Sequence, residues 1–309
     1  MLIRAGAATC AVGFIVGWGV LVPSLKRYRD VLGVIGFGIR FSLTLLVTVI
    51  YEQIKNIVIV LVAGTPTLGL WSLASRVLQI PYLMYNPINQ LAFPAFSQFN
   101  AAARDLRPVI ERVTRLSFVT STLTLPAFLV AIPGMISVLF GPQWDDAALI
   151  FPGVICAIFI GLPITAPCIQ LLYAMGKASE VLRITVLGLV LNLACVALLL
   201  WLVGVSGIGF GTVPGAALES VMLARIVHDI NGAKLIGMMP KFLLAGLLAV
   251  GGGFVVVSGI DHEAVGAVLG SATALAVAAT VCFLSEKATL LDLLSVGRRS
   301  VSLAFAGEH

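Results

Sequence analysis

Charge is scarce in this 309-residue sequence: Asp, Glu, Lys and Arg together make up 11% of it, against roughly 25% in soluble globular proteins. That shortage excludes a conventional water-soluble fold. Long polar segments are also missing, so no stretch has the composition of a separate soluble domain or a sizeable external loop. Histidine is limited to His228, His262 and His309, which are scattered in predicted loops and the tail and form no ligand cluster. The five cysteines, Cys10, Cys156, Cys168, Cys195 and Cys282, all lie inside apolar runs with no pair at metal-binding or redox spacing. They read as small buried hydrophobes. No catalytic triad, nucleotide-binding loop or metal cluster emerges, so the sequence points to no enzyme and no cofactor.

Apolar residues dominate instead, at 60% of the chain, with a mean hydropathy of +1.09. Apolar runs near or above the ~18 residues that mark a membrane helix recur along nearly its whole length. The expected architecture is an all-α integral membrane protein of about nine spans, near residues 5–23, 31–62, 67–98, 116–140, 147–174, 184–203, 208–227, 242–260 and 264–284. The second and third exceed the ~20 residues needed to cross a bilayer, so they should tilt, kink or project beyond it.

Basic residues cluster in every second loop: Lys26, Arg27 and Arg29; Arg104, Arg107, Arg112 and Arg115; Lys177 and Arg183; Lys234 and Lys241; then Lys287, Arg298 and Arg299. The intervening "AGTPT", "GPQWDD", "GVSG" and "DHE" contain no Lys or Arg. By the positive-inside rule this alternation places the basic loops and the C-terminus in the cytoplasm and the N-terminus outside. An exterior Met1 ahead of an apolar run implies that the chain begins inside a longer protein. The formal charge of +5 therefore reflects loop placement and calls for no nucleic-acid partner. "RDLRPVIERVTRL" reads as a short amphipathic helix at the cytoplasmic interface, and the glycines of "GVSGIGFGTVPG" read as sites of close helix packing.

The most informative residues are polar ones at membrane depth. At 100° per residue, Arg40, Thr44, Thr48, Tyr51 and Lys55 fall within an arc of roughly 80°, with Glu52 and Asn56 at its edge. Glu52 can approach Lys55 at i, i+3. Ser72, Ser75, Arg76, Gln79, Asn86, Gln90 and Ser97 likewise project within roughly 100° of one another, although Pro81, Pro87 and Pro94 should kink their helix. Two such stripes predict a shared hydrated cavity. An ionisable group at a helix centre costs at least ~2.5 kcal/mol to insert and marks a pathway or site. Arg40, Glu52, Lys55 and Arg76 would give that cavity a net positive charge, suited to an anionic substrate.

"LVAGTPTLGLWSLASRVLQIPYLMYNPINQLAFPAFSQ" resembles the segment of polysaccharide-exporter flippases in which a short G-x-x-x-L-G-x-Y/W turn precedes an Arg-bearing helix ending in "FPA-S". "LFGPQWDDAALIFPGV" is similar to the same family's F-G-x-x-W-x-x-A turn, and "LLYAMGKASEVLRITVLGLVLN" to its G-[KR]-x-x-x-x-x-R loop and following helix. The resemblance spans roughly residues 30–230. It implies the MATE-like fold of the multidrug, oligosaccharidyl-lipid and polysaccharide exporters. Residues 1–30 would be the last helix of a truncated first lobe with its linker, 31–230 the second six-helix lobe, 231–285 two additional helices, and 286–309 a cytoplasmic tail.

The implied activity is movement of polyprenyl-pyrophosphate-linked oligosaccharide across a bacterial inner membrane for exopolysaccharide, O-antigen or capsule synthesis. Alternative readings are a cation-coupled multidrug exporter of the same fold and a membrane-embedded polysaccharide polymerase or ligase. Arg40, Lys55, Arg76, Gln79, Asn86 and Gln90 are the candidate substrate-binding residues, and Glu52 the coupling-ion candidate. Arg76 matches the family's Arg after the short turn, whereas Lys55 departs from the acidic residue many relatives carry near its place. The implied partners are the lipid-linked substrate, membrane lipids, and polysaccharide polymerase and export proteins.

Overall fold

A computed structural model describes residues 28–102, 105–260, 262 and 264–284. The predicted first span, 5–23, and the whole of the predicted tail, 286–309, lie outside these residues. The described residues are almost entirely helical: α1 (Tyr28–Val77), α2 (Gln79–Ala101), α3 (Arg107–Phe140), α4 (Phe151–Ala174), α5 (Ala178–Val203), the short α6 (Ser206–Phe210), α7 (Thr212–Asn231) and α8 (Met239–Ser258), then α9 (Ala264–Leu284). Among the described residues, seven helical stretches are long and apolar enough to cross a membrane. The chain is thus a multi-pass membrane protein by length and composition of its helices.

The first of these stretches, Gly38–Tyr85, holds 48 residues, about 72 Å if straight and far longer than one crossing requires. It is not straight. Gly64 breaks α1 with φ +84°, a region that favours glycine because it has no Cβ, and Pro66 follows it. Lys55 and Trp71 would stand about 24 Å apart on a continuous helix, yet the Lys55 ammonium lies 4.4 Å from the Trp71 ring centroid. The chain therefore folds back at Gly64. The two predicted spans, 31–62 and 67–98, are thus the two arms of α1 with α2 continuing the second, and the basic-free "AGTPT" is their turn.

Beyond the turn, helix runs from Thr65 through Val77 and resumes at Gln79. The interruption falls one turn before Pro81, whose missing N–H and ring disfavour an α-helical bond to the Val77 carbonyl. The basic "RDLRPVIERVTRL" does not form a separate interfacial helix, since from Arg107 it continues into the 34 residues of α3. Ile110, Thr114 and Phe118 on one face are fully buried, and that continuous inner face carries the helix on without a break.

The span containing α4 occupies the centre: 67% of its apolar window is buried, against at most 39% in any other. Around it pack α3, α7 and the second half of the α1–α2 unit, while α5 joins α7 to the first arm of α1, and α8 lies on α3. Phe118 and Phe242 stack across the α3–α8 contact with ring centroids 5.1 Å apart.

Close backbone approach makes the α5–α7 side possible. A Cβ on Gly215 would fall 2.6 Å from the Gly188 carbonyl oxygen and 2.7 Å from the Asn192 Cβ. Gly207 sits against the Leu199 backbone, and Gly209 against the Ile150 carbonyl, so the glycines of "GVSGIGFGTVPG" occupy tight helix contacts. Replacing Gly215 by Leu is expected to push α5 and α7 apart and lower stability by about 3 kcal/mol or more, read as a lower thermal midpoint in detergent. An unchanged midpoint would contradict the close approach.

Candidate functional site

The hairpin at Gly64, together with α4, α5 and α7, lines an open cavity of about 400 Å³, within the roughly 300–1,000 Å³ range of small-ligand pockets. Its polar lining comes from Tyr51, Glu52 and Lys55 on the first arm, Ser75 and Tyr82 beyond the turn, Thr165 on α4, Asn192 on α5, and Thr212 and Glu219 on α7. Trp71 contributes an aromatic wall.

Lys55 lies at the heart of the first arm. Its side chain is only 4% exposed, and its ammonium is 2.8 Å from each carboxylate oxygen of Glu52. The same ammonium lies over the Tyr51 ring at 4.8 Å and the Trp71 ring at 4.4 Å from the centroids, within the ~6 Å reach of a cation–π contact. Burying a lysine without such partners would strand a charge in a medium of low dielectric. The i, i+3 spacing puts the carboxylate one turn back on the same face, and the fold-back at Gly64 brings the Trp71 ring to the other side.

A second polar seam joins α5 and α7. Thr185, Gly188 and Asn192 on α5 repeat the spacing of Thr212, Gly215 and Glu219 on α7, and the two sets meet in opposite order. The Thr185 hydroxyl donates to Glu219 Oε1 at 3.0 Å, the Gly188 and Gly215 backbones touch at the middle, and the Asn192 amide approaches the Thr212 carbonyl at 3.5 Å. Tyr51 ties this seam to the first arm, its hydroxyl donating to Asn192 Oδ1 at 2.6 Å.

The residues singled out by sequence are divided by the structure. Lys55 and Glu52 line the cavity; Arg40, Arg76, Gln79 and Gln90 do not, and are exposed. Asn86 lies on α2. The first stripe turns inward through Thr44, Tyr51 and Lys55, all buried, while the hydroxyls of Thr44 and Thr48 bond back to their own helix. Among the described side chains the second stripe contributes Ser75 alone, because its helix buries the adjoining face, where Trp71, Ala74 and Leu78 pack inward.

Of the four charges expected to share one cavity, Glu52 and Lys55 line this one and Arg40 and Arg76 do not. Among the described residues its charged lining is Glu52, Lys55 and Glu219, two carboxylates and one ammonium, leaving one formal negative charge. Glu219, Asn192 and Thr185 stand outside the two polar stripes of the first long helices, and in the sequence only the repeated Thr, Gly and polar spacing marks them.

The energetics of the Lys55–Glu52 pair are asymmetric. Lys55 is buried and Glu52 has 46% of its side chain exposed, so loss of the carboxylate strands the ammonium, whereas loss of the lysine leaves a carboxylate that water reaches. Glu52→Gln is expected to lower stability by about 3 kcal/mol, Lys55→Met by less, and the double variant by less than Glu52→Gln alone, as read from thermal unfolding in detergent. Additive effects would contradict the pairing.

No curated protein and no solved structure matches the chain. Residues 3–149, just under half of the sequence, match the family model described as polysaccharide biosynthesis protein, in agreement with the flippase-like family that its motifs resemble.

Proposed function

We propose that this protein moves polyprenyl-pyrophosphate-linked oligosaccharide across the membrane for polysaccharide assembly, breaking no bond in the cargo and alternating the access of a polar path between the two sides. The observation that carries this reading is a row of exposed polar side chains on membrane-length helices, in a chain whose residues 3–149 match the polysaccharide biosynthesis family. Arg76, Gln79 and Gln90 are exposed along one helical unit and Arg40 is exposed on the antiparallel arm.

An arginine facing lipid costs about 2.5–3.5 kcal/mol even on the lowest scales, so a hydrated or ligand-facing surface is the favourable setting for this row. Arg76 stands twelve residues after the Gly64 turn and Glu52 twelve before it, which puts both about 18 Å from the turn, level with the cavity. Arg40 lies another twelve residues along the first arm, again about 18 Å away. Guanidinium groups suit a pyrophosphate because they bind its oxygens in pairs. Asn86 belongs to the same proposed path by its place on α2. Glu52, half exposed beside Lys55, is the carboxylate proposed to take up a coupling cation. The lipid tail stays in the bilayer throughout, so only the headgroup and sugars need a polar path.

In proteoliposomes containing the full-length protein, Arg76→Ala is expected to slow the appearance of lipid-linked oligosaccharide in the opposite leaflet by about tenfold or more while leaving protein abundance unchanged. Wild-type rates in the variant, or transport of small organic cations in place of the lipid, would contradict the reading.

A further inference from the structure

We propose that the α5–α7 wall of the cavity binds the saccharide part of the cargo through its hydroxyl groups, with Glu219 and Asn192 as the recognising residues. This rests on the translocation reading above and divides the cargo between two neighbouring surfaces: pyrophosphate on the exposed arginine row, sugar in the cavity.

Charge excludes the anionic group from the cavity. Its lysine is already held by both oxygens of Glu52, and the carboxylate of Glu219 on the opposite wall forms no ion pair with any described residue. A pyrophosphate placed there would meet, among the described residues, a lining of net negative formal charge whose one cation is already paired. A neutral, hydroxyl-rich group meets what it needs.

Glu219 accepts from Thr185 at one oxygen, and an ionised carboxylate has roughly four acceptor positions, so most of its capacity faces the cavity unused. Asn192 accepts the Tyr51 hydroxyl at its oxygen, but its amide nitrogen has only the 3.5 Å approach to the Thr212 carbonyl, at the outer limit of a hydrogen bond. Acceptor and donor therefore stand on adjacent helices at the two ends of the Gly188–Gly215 contact, about 10 Å apart along the helix axis, a separation that matches hydroxyls on successive sugars of a glycan. Thr165 on α4 offers a further hydroxyl, and Tyr82, half exposed at the edge, an aromatic ring.

The test compares two lipids on the purified full-length protein in nanodiscs: bare polyprenyl pyrophosphate, and lipid-linked oligosaccharide extracted from the native membrane. The glycan-bearing lipid is expected to bind the wild type at least tenfold more tightly. Glu219→Ala and Asn192→Ala are each expected to remove most of that advantage while leaving the affinity for bare lipid unchanged, which also shows that the variants are folded. Equal affinity of the wild type for both lipids overturns the sugar assignment, and so does a variant that keeps the full advantage. A variant that loses both lipids alike overturns it too, because the residue then acts on the fold or the pyrophosphate. If neither lipid binds the wild type, the translocation reading falls and the sugar site falls with it.

Discussion

A single ammonium group, that of Lys55, governs how this cavity can be built. Placed among apolar helices, a lysine must be paired or the helix that carries it is penalised by several kcal/mol. Here both oxygens of Glu52 hold it at 2.8 Å, and two aromatic rings cover it. Each partner imposes a geometric condition. Glu52 requires only an unbroken helical turn. Trp71 requires the chain to reverse between residues 55 and 71, and Gly64 with its positive φ permits that reversal. Tyr51, one of the two rings, extends the constraint outward by donating to Asn192 on α5. The local charge and the tertiary arrangement of three elements are thus parts of one arrangement.

The other wall follows from glycine. Gly188 and Gly215 let two helix backbones meet without intervening side chains, and the Thr and polar residues at matching distances on either side then fall opposite one another. A half-buried carboxylate and amide between apolar helices are tolerable because each has a hydrogen-bonding partner across this contact. Close packing of small residues is a common solution where lipid offers no hydrophobic drive between helices. In this protein it also sets the spacing of the polar groups that face the cavity.

Much of the fold is legible in the sequence. Eight predicted spans from 31–62 to 264–284 each fall on helix, and the turn "AGTPT" lies where α1 reverses. The signal was strong because apolar length and basic-free loops are both direct consequences of the bilayer. The inward half of the site was legible too, since Glu52 and Lys55 stand out in an apolar run at a spacing that allows pairing. Helical angle alone did not say which face of the second stripe turns inward; that depended on Trp71, Ala74 and Leu78 offering the better-packing side. Nor could it reveal that Thr185 and Glu219, 34 residues apart, share a hydrogen bond. That pairing depends on two glycines meeting across helices, a fact of tertiary packing.

Among the described residues, a cavity at membrane depth carries an excess of formal negative charge beside a separate exposed row of basic residues, and hydration of that cavity is what every proposed step requires. The most direct measurement is thiol labelling at Thr165→Cys, on the α4 wall of the cavity, in a background with the five native cysteines replaced. Water-soluble methanethiosulfonate reagents of similar size and opposite charge should both react there, the cationic one faster, and Glu219→Gln should narrow the difference. Absence of labelling by either reagent, or faster reaction of the anionic one, would contradict the account.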